Sequence, residues 1–529
     1  MSDRLGTAPL VRLIVDRDRL RLLAWIVGLV ILVWVTAAST KSLYPTQASL
    51  DAIARAARDN PVALAFNGPD QALDTIGGQI AFQVGAFGLL MVGLMSVLLV
   101  GRATRGEEDS GRLEMVRSMP VGRHAPMTAG LLVVIGTNLV LWVLVTVSLL
   151  LEDLPTHGSV VFGASFAAVG ITFVGVTAVT AQVSENPRVA TGAAGAVLGA
   201  SYVLRAAGDM TGGTLSWLSP LGWAQKSRPY AGERWWPLLL CVALGAGLIW
   251  LAAALAVRRD FGSGMIAPKP GPPAAAPSLG SPLGLAVRLH RGAVIWWGLA
   301  VLLLGLVYGS LTESIDSFLG DNPSMEDVLA AVGQASLTDA YLATSLLITA
   351  LMAAGPALQI VQRLRAEETE ERAEVVLATG TSRGTWLGSH LVVALVGGAL
   401  TLVLGGLGLG VAYAAVGGGA DQIPRLVGAA LAYVPAVWLL TALAVAMFGL
   451  IPRWSAAGWV ALTACLVIGM FGALLDLPQW VLDLSPFQQT PAVPADPLRM
   501  LPLAVLTLVT GAFLAIGLAA FRSRDLVTS

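Results

Sequence analysis

Twelve apolar runs, each near the length a helix needs to cross a bilayer, constrain this chain more than any other feature. A helix spans the hydrocarbon core in about 20 residues. Such runs fall at roughly 22–40, 80–101, 126–151, 159–181, 189–207 and 236–257, and again at 292–311, 339–362, 386–416, 426–450, 456–475 and 500–521. The expectation is an all-α polytopic membrane protein with about twelve transmembrane helices. Composition agrees: 12% of residues are charged and mean hydropathy is +0.75, against about 25% charged in soluble domains. The 386–416 run is long enough to tilt or to extend past the bilayer. The first run is followed by no small-residue cleavage site and reads as a retained first helix. Before it, Leu10, Leu13 and Ile14 alternate with Arg12, Asp16, Arg17, Arg19 and Arg21, which suits an amphipathic helix on the membrane surface or a polar tail.

The runs divide six and six about a Pro- and Gly-rich stretch without periodicity, which reads as a linker. We therefore expect a first six-helix half over 1–261 with an N-terminal interfacial helix, a linker over 262–283, and a second six-helix half over 284–529. The halves look like copies. A charged island, RGEEDSGRLEMVRSMPVGR from Arg105 to Arg123, recurs as RAEETEERAEVVLATGTSR from Arg365 to Arg383. Arg105, Glu107, Glu108, Arg112, Glu114, Val116 and Arg123 match Arg365, Glu367, Glu368, Arg372, Glu374, Val376 and Arg383 without a gap. Weaker landmarks follow in the same order: Pro9-Leu10 with Pro282-Leu283, Asp59-Asn60-Pro61 with Asp321-Asn322-Pro323, Pro187-Arg188 with Pro452-Arg453, Leu218-Ser219-Pro220 with Leu484-Ser485-Pro486, and Arg259-Asp260 with Arg524-Asp525. Six runs per half make the repeats parallel, related by an axis along the membrane normal.

Arginine and lysine set the orientation. With the N-terminus inside, 23 of the 32 Lys and Arg residues fall on inner segments and nine on outer ones. Both termini, the linker and both islands are then cytoplasmic, in a bacterial plasma membrane. Within each island the acids come first, an order that suits the start of a helix. Glu108–Arg112 and Glu368–Arg372 have the spacing of i,i+4 pairs. Leu113, Val116 and Met119 can form a small apolar strip. Such a helix can dock in a partner's groove; alternatively the island is a solvated connector whose charges only set topology. The gapless second copy favours docking.

The pattern R-x-E-E-x-x-x-R-x-E, closing on the Arg of SMPVGR, resembles the loop after the second helix of ABC-2-type ABC transporter permeases. The single-chain duplication is similar to the bacterial exporters of polyketide antibiotics and other drugs. The resemblance implies short cytoplasmic coupling helices that contact an ATPase through Glu107, Glu108, Arg112, Leu113, Glu114 and Val116 in one half and Glu367, Glu368, Arg372, Glu374 and Val376 in the other. It implies two copies of a separate ABC ATPase subunit, with ATP and Mg held there and no cofactor in this chain, and a hydrophobic small-molecule substrate. The second island departs from the pattern where Thr379-Gly380-Thr381 replaces Met119-Pro120-Val121 and Ala373 replaces Leu113, so the two need not bind the ATPase equally. The resemblance also makes the stretches 217–236 and 477–499 outer re-entrant elements, and the turns at Glu185–Arg188 and Pro452-Arg453 secondary ATPase contacts.

The remaining residues narrow the function by what they lack. The three lysines, Lys41, Lys226 and Lys269, complete no G-x-x-x-x-G-K-[ST] loop, so ATP hydrolysis is expected in a partner and no catalysis here. Net charge of -1 gives no general case for nucleic acid. Cys241 and Cys465 sit in apolar runs and indicate neither a disulfide framework nor a metal site. Of the histidines, His124 and His290 flank membrane entries and read as interfacial, and His390 either lines a cavity or is interfacial. Ionisable residues within the runs are sparse, Arg205 and Asp209 lying at a run's end. That argues against the alternative, an ion-coupled secondary transporter of twelve helices, which would carry charge at depth. Gln83, Asn138, Gln359 and Gln362 either face a pathway or, the reading preferred, serve as interhelical hydrogen-bonders or end-of-helix residues. Gly192, Gly195 and Gly199, and Gly405, Gly406, Gly408 and Gly410, read as packing glycines.

Overall fold

A computed structural model describes residues 6–58, 61–109, 121–210, 213–258, 264–265, 271, 273–312, 337–471 and 478–525. Among these the protein is all-helical, with eleven helices long and apolar enough to cross a membrane. Ten of the twelve runs correspond one to one, and the eighth and tenth are each divided by a short turn within a single span. The eleventh run appears as the 15-residue helix Ala457–Phe471, and 472–477 lie outside the described residues. The chain forms two compact units, Met1–Gly271 and Pro272–Ser529.

Unit 1 begins with α1 (Thr7–Leu43), one continuous 37-residue helix. The expected surface helix is therefore the first third of α1, with no break before the span. At 1.5 Å per residue α1 is about 55 Å long, well beyond the ~30 Å hydrocarbon core. α2 (Gln47–Arg58) and α3 (Pro61–Asn67) are short, and α4 (Ile76–Gly101), α5 (Ala125–Leu150), α6 (Thr156–Val183), α7 (Pro187–Met210), α8 (Pro220–Gln225) and α9 (Trp236–Arg258) complete the unit. α6 is its centre, packed by α4, α5 and α9, with Phe162, Phe166 and Phe173 buried. Apolar surface gains nothing from leaving lipid for a neighbouring helix, so close backbone approach and interhelical hydrogen bonds hold such bundles. Thr172 Oγ1 donates to the Cys241 carbonyl (2.8 Å), joining α6 to α9, and Asn138 Nδ2 donates to Ser96 Oγ (3.1 Å), joining α5 to α4.

At the end of unit 1 away from its island, α3 and α8 close the bundle. Arg205, fully buried, donates from Nη2 to the Phe66 carbonyl (3.3 Å) and pairs through Nη1 with Asp209 (3.3 Å). Tyr202 Oη also donates to Phe66 O (2.9 Å), and Ser216 Oγ donates to Asp209 Oδ1 (2.8 Å). Arg205 and Asp209 thus serve as a clasp for this cap. Ser219 caps α8 by accepting from the Gly222 amide. Tyr230, in the following loop, hydrogen-bonds Ser159 (3.0 Å), and burial pushes its hydroxyl pKa up to about 12.

Unit 2 contains α10 (Pro282–Ser310), α11 (Leu337–Ala353), α12 (Gly355–Thr369), α13 (Arg372–Leu377), α14 (Arg383–Tyr413), α15 (Gln422–Leu431), α16 (Val434–Leu450), α17 (Ala457–Phe471), α18 (Gln479–Leu482) and α19 (Met500–Ser523). α10 and α14 lie closely side by side. A Cβ on Gly305 would strike the Gly405 carbonyl and one on Gly408 the Leu302 carbonyl, so glycine is what allows this approach. Gly192, Gly195 and Gly199 behave otherwise: a Cβ on any of them would meet nothing within 4 Å. Their expected packing role is not seen within unit 1. Of the polar residues, Gln359 accepts from Trp297 Nε1 (2.8 Å) across α12 and α10, and Gln83 accepts from Thr40 Oγ1 (3.4 Å) across α4 and α1.

Candidate functional site

The second island is a helix, a break and a shorter helix. α12 carries the chain to Thr369, Glu371 takes a left-handed conformation (φ 59), and α13 runs from Arg372 to Leu377. Gly380 (φ 82) turns the chain again and Ser382 caps α14 by accepting from the Thr385 amide. Glu367 and Glu368 therefore lie in the last turn of α12 and not at a helix start. The macrodipole there is unfavourable to acids, and arginines supply the compensation. Arg372 grips Glu367 through Nε (2.8 Å) and Nη2 (3.1 Å) while Arg363 Nε adds a third contact (3.3 Å). Arg524 grips Glu368 through Nη1 (2.7 Å) and Nη2 (2.8 Å), with Arg365 at 3.5 Å. Paired two-point contacts of this kind fix geometry as well as charge. The hydrogen bonds to Glu367 hold the Arg372 guanidinium above its usual pKa.

Two expectations change here. The i,i+4 pair Glu368–Arg372 is not formed, because the left-handed Glu371 ends the helical register and swings Arg372 onto Glu367; Arg372 also contacts Glu370. Glu367 and Glu368 are also buried, 7% and 4% exposed, so their carboxylates face their own unit. Ala373 is buried beside Leu364, Trp386 and Leu387, and Val376 packs partly against the same cluster. The open side of α13 consists of Glu374, Val375 and Ala378, with Val375 70% exposed.

In the first island, α4 passes into a π-helical turn, Arg102–Gly106, and then Glu107–Asp109. Arg112, Leu113, Glu114 and Val116, with the Glu108–Arg112 pair, lie outside the described residues. Arg105 is buried, donates to the Ala181 carbonyl of α6 and pairs with Glu108 (2.6 Å). Glu107 is held by Arg17 of α1 (2.9 Å), and Arg17 shares Asp18 (2.9 Å) with Arg21 (2.8 Å) and Arg102 (3.2 Å).

The islands share two devices. Arg105–Glu108 and Arg365–Glu368 are the same i,i+3 ion pair. Each island's closing arginine also reaches the end of its unit's last span: Arg123 Nη2 donates to Val257 O (3.3 Å) and Arg383 Nη1 to Arg522 O (3.3 Å). Both contacts keep the register of the Arg259/Arg524 landmark. Residue spacing did not reveal Asp18, Arg102 or Arg524 as partners. Nor did it reveal that His290 and His390, a hundred residues apart, meet at 2.7 Å, joining α10 to α14 beside Trp386. His290 is thereby a buried partner of His390. A positive-φ glutamate has no glycine to announce it. The one available signal for Arg524 was its place in the repeated Arg-Asp landmark.

Among the described residues no group of three or more His, Cys, Asp or Glu side chains could hold a metal ion. What the arrangement offers is mechanical: a short exposed helix rigidly tied by charge to the ends of several spans. The chain matches a family model described as multidrug efflux system permease Rv1217c, C-terminal domain, over residues 9–257 and 279–522. The two matched stretches fall one in each half, as internal duplication would give. The chain is 40% identical over 523 residues to the multidrug efflux system permease protein Rv1217c of Mycobacterium tuberculosis (strain ATCC 25618 / H37Rv), an alignment covering 98% of this chain and 95% of that protein. With eleven candidate spans in its described residues, the chain is a multi-pass membrane protein with a duplicated domain, and it belongs to the Rv1217c multidrug efflux permease family.

Proposed function

We propose that this chain is the transmembrane subunit of an ATP-driven ABC exporter of hydrophobic or amphipathic compounds, powered by two copies of a separate ATPase. The observation that carries this reading is the pair of islands, each leaving its unit's second span and each ending on an arginine bound to the last span. A push on such an island reaches both spans at once. ATP binding would close the ATPase dimer, move both levers and shift which side of the membrane the pathway opens to. The open side of α13, with Glu374, Val375 and Ala378, would touch the ATPase. Glu367 and Glu368 would keep the lever stiff, as Glu107 and Glu108 do in unit 1. Residues 110–120, with Arg112, Leu113, Glu114 and Val116, would supply the corresponding contact there. ATP and Mg would sit in the partner. Both termini, the linker and the islands would be cytoplasmic, in the bacterial plasma membrane.

The efflux role named for the Mycobacterium tuberculosis relative supports export of drug-like molecules. Co-expression with a P-loop protein encoded beside this gene tests the reading. The expected result is a stable complex with vanadate-sensitive ATPase activity that V375D abolishes; no complex and no activity would overturn it. The competing reading, an ion-coupled transporter, has buried titratable groups in its favour: Arg205–Asp209 and His290–His390. Transport that survives vanadate and collapses with an uncoupler would establish it.

A further inference from the structure

The α10–α14 face of unit 2 carries a groove with two chemically distinct ends. One end, about 320 Å³, lies between Val287, Val294 and Ile295 of α10 and Val392, Val396 and Leu400 of α14, and carbon lines it throughout except at Arg291. Arg291, Leu283 and Val287 also line a second, wider cavity of about 710 Å³, where Ser278, Ser281 and Arg288 join them. The two cavities therefore form one amphipathic groove. Val392 and Leu400 are eight residues apart, so the apolar end runs about 12 Å along the helix. That approaches half of the ~30 Å hydrocarbon core, the depth of one leaflet.

Among the described residues the charge at the wide end lacks a counterpart. Arg288 and Arg291 are exposed and have no ion-pair partner among the described residues. The repeat sharpens this. The register that sets Pro9 against Pro282 sets Asp18 against Arg291. In unit 1 that position is an acid gripped by Arg17, Arg21 and Arg102. In unit 2 it is an arginine beside another arginine, above an apolar channel. The level is that of the membrane surface: His290, next to Arg291, binds His390, seven residues into α14, and beyond Arg291 α10 is uncharged to its end.

We infer that this groove binds an anionic phospholipid, its phosphate between Arg288 and Arg291 and one acyl chain along Val294, Val396 and Leu400. Guanidinium groups pair well with phosphate, and basic residues at the membrane surface attract anionic lipid. A free phosphate would use only the arginines. A second copy of the chain would use the apolar wall but leave two like charges facing it.

Native mass spectrometry of the full chain with phosphatidylglycerol or phosphatidylcholine tests the assignment. R288Q/R291Q should lower retained phosphatidylglycerol about tenfold and leave phosphatidylcholine unchanged. V396W, at an exposed position that tolerates bulk, should lower phosphatidylglycerol retention with both arginines in place. Unchanged phosphatidylglycerol in the double variant would overturn the inference. So would unchanged retention in V396W, or full displacement by millimolar inorganic phosphate, since either leaves the acyl channel unused. A dimer that V396W dissociates, with lipid retention unaltered, would give the face to a second copy instead.

Discussion

In unit 1 the island carboxylate Glu107 reaches back to Arg17, near the start of the first span; in unit 2 Glu368 reaches forward to Arg524, just past the end of the last. The shared i,i+3 pair and the shared closing arginine show that both islands descend from one design. Each island adds its anchor at a different position of the repeat, Glu107 in one and Glu368 in the other. The Arg17–Glu107 contact is half open, with side chains 29% and 17% exposed. The Arg524–Glu368 contact is closed, at 14% and 2%, and Arg524 also lies over Phe448 and Phe521. Water screens the first pair more than the second, so similar charge separations carry unequal energies. Two anchors built on the same acidic pattern can thus differ, one softened by solvent and the other stiff.

The comparison breaks most decisively at Glu368. E368A leaves Arg524 buried without a partner, and removing one member of a buried pair costs about 3–5 kcal/mol. A large fall in thermal unfolding temperature is expected for E368A and for R524A, and a double variant should lose much less than the sum of the two. Additive losses would show the pair is not coupled. Next comes R372A, which strips two charged hydrogen bonds from Glu367 while Arg363 remains. About 1.5–3 kcal/mol is expected, with proteolysis at the Glu371 break rising before global unfolding. E107Q in unit 1 should cost no more than about 1 kcal/mol, and its effect should fade in high salt, while that of E368A should persist. Equal salt sensitivity would erase the distinction between soft and stiff anchors. Smallest in stability is V375D, within about 0.5 kcal/mol as for most exposed sites, yet it should abolish stimulated ATPase activity. Unchanged ATPase activity would remove the exposed side of α13 from the partner interface.

Much of the architecture was legible because length and apolarity determine spans almost alone. Even the glycine-lined contact of α10 with α14 was foreshadowed by Gly405 and Gly408. The islands were legible in position and not in detail. Charge spacing pointed to Glu368–Arg372 because a continuous helix was assumed, and nothing in EETEER marks Glu371 as a left-handed break. Burial was the second difficulty. Acidic residues in a polar stretch read as exposed, and only the tertiary fold brings Arg524 and Arg372 over Glu368 and Glu367. The glycines of α7 make the same point in reverse within unit 1: small residues permit close contact, but a neighbour must arrive to use it.

The separation of Glu368 from Arg524 has a consequence in time. They lie 156 residues apart, and at 5–20 residues per second a ribosome needs about 8–30 s to cover that distance. Throughout that interval α12 has been made and Glu368 has only Arg365 beside it, while Arg17 existed long before Glu107 was translated. The Arg17–Glu107 contact can therefore form as soon as the island emerges, whereas the Arg524 clamp waits on the final helix, and each island's closing arginine waits for its own unit's last span. A chain stalled or misrouted in its last span would carry a loose, charged second lever, and that exposed defect is one that membrane proteases could read as the mark of an unfinished molecule.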